Sequence, residues 1–126
     1  MDPERRLAIV RTRTAVAQMH ALRVAIDEAE ARSLAICGSL ESGASVEESF
    51  EAADASSTRK RLTDAVAEYE RLRHDARLAL MLLGVSEGMT KSAIARTWGI
   101  SAQWAGHEVE AARQTAAMSV EPQDTA

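Results

Sequence analysis

The chain predicts an all-α fold: a long antiparallel helical hairpin, coiled-coil-like, followed by two short helices around a tight corner. Three observations carry that expectation. Hydrophobic residues fill 46% of the 126 positions while aromatics fill only 3%, so alanine dominates, and alanine favours helix and close helix–helix approach. The only prolines, Pro3 and Pro122, stand near the ends, and none interrupts the interior. Apolar and small residues recur in alternating steps of three and four through two long stretches, the period of a two-helix seam.

The first helix starts where Asp2 can cap and Pro3 can occupy the first helical position. Its seam is Ala8, Thr12, Ala15, Met19, Leu22, Ile26, Ala29, Ser33 and Ile36. That predicts roughly 35 residues, about 50 Å of helix, stopping at Gly38. The next stretch, GSLESGASVEESFEAADASS (38–57), carries five acids and no cation. It reads as a solvated loop with room for one short helix, for which Ser45 and Glu48 have N-cap spacing; Phe50 is placed to pin it.

The second helix runs from Ser57 or Thr58 to about Leu83, with Gly84 as its stop. Its seam is Leu62, Ala65, Tyr69, Leu72, Ala76, Ala79 and Leu83, widened by Val66 and Leu80. Two helices of similar length with one seam each fold most simply as an antiparallel hairpin. Leu7, Val10, Val16 and Val24 lie off that seam, more apolar surface than a hairpin can bury, so a homodimer through the first helix is expected. The division is a hairpin over 1–85, a corner unit over 86–118, and a disordered tail over 119–126.

Charge excludes some functions. The net charge is −4, unsuited to a non-specific nucleic-acid coat. Cations sit on the long helices, with six Arg in 1–37 and six Arg and Lys in 58–85, whereas 86–126 holds three cations against five acids. Cys37 is the only cysteine; there is no intrachain disulfide, and its neighbours Leu34 and Ile36 suggest a buried position. The run Leu78 to Leu83 is far short of the ~20 residues that span a bilayer. With arginines interrupting the first twenty residues, the chain reads as cytoplasmic, with no membrane partner. Catalysis has no support: His20, His74 and His107 are widely separated, and no metal-ligand spacing or phosphate-binding glycine loop is present. No enzyme activity, cofactor or metal is expected.

The segment IARTWGISAQWAGHEVEAAR (94–113) carries the chemistry. Thr90 is placed to cap a helix over 91–98, and Ser101 to cap a second from Ala102 to about Met118. Ala95 is small where two helices must cross closely, Gly99 stands where a positive φ is wanted, and Ile100 plugs the turn. Ala105 and Val109 then face Ile94 and Trp98, closing a small core with Leu80 and Leu83. Those spacings are those of a helix-turn-helix.

The longer stretch EGMTKSAIARTWGISAQWAGHEV resembles the helix-turn-helix of small bacterial and phage DNA-binding regulators, whose pattern runs EGxS…IAxxLGVSRQAVxxxV. More distantly it resembles the promoter-reading end of sigma factors. The resemblance covers residues 86–113. It implies that Gly99-Ile100-Ser101 form the turn, that Gln103 matches the glutamine opening the second helix, and that Val109 matches a packing residue. Ala102 departs from the usual Arg, and Trp104 from a small residue.

Double-stranded DNA is then the expected partner. Ala102, Gln103, Trp104, Gly106 and His107 are the candidates for base reading, because Gln can pair with adenine and Ala can touch a thymine methyl. Thr90, Lys91, Ser92, Arg96, Ser101 and Arg113 are the candidates for phosphate. Further cations are expected from Arg5, Arg6, Arg11 and Arg13, from Arg59-Lys60-Arg61, and from Arg71, Arg73 and Arg77. The rival expectation is a helical adaptor that binds a protein partner through Trp98, Trp104 and the acidic loop.

Overall fold

A computed structural model describes the backbone of residues 1–120 and the side chains of residues 1–117. Among the described residues the chain is all-helical: α1 (Pro3–Glu41), α2 (Val46–Ala52), α3 (Ala55–Ser86), α4 (Lys91–Trp98) and α5 (Ala102–Val120). Among the described residues, no helix is long and apolar enough to cross a membrane. The chain divides into two compact units: Met1–Arg13 with the chain from Arg73 onward, and Thr14–Leu72.

The first unit begins at a cap. Asp2 Oδ1 accepts the Arg5 backbone N–H at 2.8 Å, satisfying a donor that the helix start leaves open. That hydrogen bond, with the nearby Arg5 guanidinium, holds the Asp2 carboxyl below its usual range. Arg5 also reaches Glu87 Oε2 at 2.7 Å, tying the start of α1 to the segment after α3. The interior gathers Met81, Ile94, Ala95, Ala105 and Val109, with Val85, Met89, Trp98 and Ile100 packed around them. Met81 and Ile94 are 0% exposed. The α3 contribution therefore differs from expectation: Met81 and Val85 face α4 and α5, whereas Leu80 is exposed.

In the second unit, Gln18 Nε2 donates to the Ala65 carbonyl at 3.4 Å, and Arg61 pairs with Glu28. Residues advance along α1 as they recede along α3. The buried and half-buried line on α1 is Ala15, Gln18, Leu22, Ala25 and Ala29. Met19 and Ile26, expected on the seam, are exposed, and so is Ser33. Alanine at the contact lets helices approach closely, which turns the neighbouring larger side chains outward. Phe50 is likewise exposed rather than pinned, and Cys37 is exposed rather than buried.

The two long helices run through the glycines expected to stop them. α1 continues past Gly38 to Glu41, and α3 past Gly84 to Ser86. The reversals fall instead at Gly43 and Gly88, with φ of 91° and 93°, a region that favours glycine. Gly84 has another use: the Met89 sulfur lies 2.7 Å from where a Cβ would stand, so the bare helix surface is a socket for Met89.

The acidic stretch is partly ordered into α2. Ser45 caps it, its hydroxyl accepting the Glu48 N–H at 3.1 Å, as the spacing predicts. Ser49 is buried and its hydroxyl donates to the Ser45 carbonyl at 2.8 Å. Asp54, at φ 51°, joins α2 to α3; acidic and amide side chains tolerate this left-handed region better than most. Its carbonyl accepts both the N–H and the hydroxyl of Thr58, at 3.1 and 3.0 Å. α5 continues to Val120, so 119–120 are helical where a disordered tail is expected; 121–126 lie outside the described residues.

Candidate nucleic-acid interface

The site is assembled from four local devices. Thr90 Oγ1 accepts the Ala93 N–H at 3.1 Å, starting α4. Gly99 takes φ 68°, ψ 35°, and its N–H donates to the Ala95 carbonyl; the Ile100 N–H donates to the same oxygen at 2.9 Å. That left-handed residue ends α4 within one step and turns the chain. Ser101 Oγ then accepts the Trp104 N–H at 3.0 Å, starting α5. Behind the corner, Ile94 and Ala95 on α4 meet Ala105 and Val109 on α5, with Trp98 and Ile100 half-buried at the edge.

The residues expected to read bases fall on the opposite side of α5. Ala102, Gln103, Trp104 and His107 are exposed and Gly106 is half-exposed. Trp104 is 53% exposed, with its ring centroid 6.2 Å from that of His107. The residues expected to hold phosphate, Thr90, Lys91, Ser92, Arg96, Ser101 and Arg113, are all exposed. Lys91 reaches across to α5: its Nζ lies 3.7 Å from the Cβ position of Gly106. An ammonium from α4 therefore sits on the same surface as Gln103 and His107, which linear spacing did not reveal.

Several cations expected to assist are already engaged. Arg77 Nη2 lies 3.0 Å from Glu108 Oε1, with side chains 21% and 8% exposed. The approach is close but outside hydrogen-bond angles, and the buried Arg77 Nε has no acceptor among the described residues. Arg5 is held by Glu87 and Arg61 by Glu28. Lys60 hydrogen-bonds Asp64, which raises its pKa, and Arg71 hydrogen-bonds Glu68, which holds that carboxyl below its usual range. Arg6, Arg13, Lys91 and Arg96 have no ion pair among the described residues, whereas Arg113 lies 4.0 Å from Glu110.

Two features were invisible in the sequence. No local spacing marks Glu108 as buried, yet it is turned inward against Arg77, 31 positions earlier in the chain. His74 and His107, far apart in sequence, border one hollow of about 380 Å³ with Trp104, Glu108 and Ala111. No cluster of three or more metal-capable side chains occurs among the described residues. The chain matches no protein-family model, no curated protein and no solved structure.

Proposed function

We propose that this protein is a sequence-specific DNA-binding regulator that works as a homodimer through a C-terminal helix-turn-helix. The observation that carries the reading is the corner itself. Two helices capped by Thr90 and Ser101 are joined at a left-handed Gly99, and Gln103 and His107 stand exposed on the second. In that reading α5 enters the major groove and Gln103 pairs with adenine. Thr90, Ser92, Ser101 and Arg96 face phosphates. α1 and α3 form an antiparallel hairpin, and the exposed Val16, Val24 and Leu34 meet a second copy. Two-fold symmetry sets a palindromic site with half-sites about 34 Å apart or a multiple of that.

The test is selection of bound duplexes from a random pool at several salt concentrations. A palindrome should be enriched, with affinity falling steeply as salt rises. Gln103→Ala should relax one position of the half-site at a cost of about 1–3 kcal/mol. Enrichment of no sequence, with Gln103→Ala indistinguishable from the parent protein, defeats the proposal.

A second reading is favoured by a separate observation. Trp104 and Glu110 are both exposed on the same helix, an aromatic and acidic combination suited to a protein partner. A helical adaptor of that kind would show binding that depends on Trp104 and changes little with salt.

A further inference from the structure

We propose that the Thr14–Leu72 unit carries an anion site for a phosphate group, gripped by Arg32 of α1 and Arg59 of α3. These two arginines border one cleft of about 180 Å³, with Ser33 and Ile36 from α1 and Thr58 and Leu62 from α3. No carboxylate lines it. Three other arginines meet an acid distant in sequence: Arg5 meets Glu87, Arg61 meets Glu28 and Arg77 meets Glu108. Neither Arg32 nor Arg59 has an ion pair among the described residues.

Local sequence explains why no acid answers them. The helical neighbours of Arg32 at three and four residues are Glu28, Ala29, Ala35 and Ile36, and Glu28 is held by Arg61. Those of Arg59 are Ala55, Ser56, Leu62 and Thr63, none of them acidic; Glu51 and Asp54 border a separate hollow with Arg59, and neither forms an ion pair with it among the described residues. Two arginines bordering one small acid-free cleft bring like charges together, and an anion held between them would offset their repulsion. A phosphate dianion matches their summed charge, and its oxygens suit the two forks. The Ser33 side chain is exposed beside them and can add a donor. The Thr58 hydroxyl cannot, because it donates to the Asp54 carbonyl.

Size and charge narrow the ligand. Sites for drug-sized molecules run from about 300 Å³ upward, so this cleft suits free phosphate or a small phosphate monoester. A phosphodiester carries one negative charge and matches the pair less well. The site uses no residue of α4 or α5, and Arg59 is the one residue it shares with the cations expected to assist DNA binding.

The experiment is a thermal-shift titration of the full chain with inorganic phosphate and with phenyl phosphate, against sodium chloride of equal ionic strength. Phosphate should raise Tm saturably. Arg32→Gln and Arg59→Gln should each weaken the apparent affinity roughly tenfold, the size expected for one charge-assisted contact, while Arg23→Gln leaves it unchanged. Both cleft variants should be at least as stable as the parent without phosphate, because each relieves like-charge repulsion. Tighter binding of phenyl phosphate identifies a monoester, and tighter binding of inorganic phosphate the free ion; either supports the site. A phosphate response no larger than that of chloride overturns it, as does parental affinity in both cleft variants. Displacement of phosphate by duplex DNA, lost in Arg32→Gln, overturns the small-molecule assignment and places the cleft in a DNA interface.

Discussion

The corner between α4 and α5 and the α1–α3 contact of the Thr14–Leu72 unit bury their side chains by opposite means. Around the corner, Met81 and Ile94 are fully covered, and both are large. In the other unit the buried side chains among the described residues are Ala15, Ser49, Ala53 and Thr58. Small residues bring helices close but remove little apolar surface from water, and hydrophobic stabilisation follows that area. Two regions with similar helix content thus differ in what holds them. The corner is sealed by its own core, while the other unit leaves Val16, Val24, Ile26, Leu34 and Val66 exposed.

The largest expected effect tests that contrast directly. Ile94→Ala opens a cavity at a fully buried position and should cost about 3 kcal/mol, within the usual range for such truncations. Leu34→Ala, at a side chain 64% exposed, should stay within about 0.5–1 kcal/mol in a dilute monomer. Urea unfolding of both variants gives the comparison. Equal losses would mean that Leu34 is covered in solution. A concentration-dependent loss for Leu34→Ala alone would point to a second copy as the cover.

The next effect concerns the charge inside the first unit. Arg77 is mostly buried against Glu108, yet its Nε has no acceptor among the described residues. Truncating one partner of a buried pair leaves a charge without compensation, and Glu108→Ala should cost about 2–3 kcal/mol. Replacing both, as Arg77→Met with Glu108→Leu, should recover most of that loss, since an apolar pair removes the unmet polar groups. A double variant as unstable as Glu108→Ala would show that the pair contributes more through position than through charge.

How far the sequence foretold these regions follows from the range of the forces involved. Four helix starts were legible, because a cap depends on residues three apart: Asp2, Ser45, Thr90 and Ser101 each accept the N–H that their spacing predicts, whereas α3 starts at Ala55, ahead of the expected Ser57 or Thr58. The left-handed corner was legible for the same reason, since Gly99 answers a local steric demand. Choices between adjacent residues were not. Gln18 rather than Met19 is covered, Ala25 rather than Ile26, and Met81 rather than Leu80, because the winner depends on how closely a distant helix approaches. The inward turn of Glu108 was hidden because its partner lies on α3. The place of Lys91 in sequence suits it to phosphate, and only folding puts its ammonium beside Gly106.

The smallest effect contrasts one substitution made in the two regions. Gly38 lies within α1 with nothing within 4 Å of its Cβ position and an ordinary helical backbone. Gly38→Ala should therefore stabilise by about 0.5 kcal/mol, because alanine loses less entropy in a helix. Gly99 also has open space around its Cβ position, but its φ is 68°. Gly99→Ala should destabilise by about 1 kcal/mol, entirely through the left-handed backbone rather than through a clash. Thermal melts of the two variants should move in opposite directions, by a few degrees at most. A neutral Gly99→Ala would show that the corner does not hold this residue left-handed in solution. The α5 surface bearing Gln103 would then lack the fixed angle that reading a groove requires.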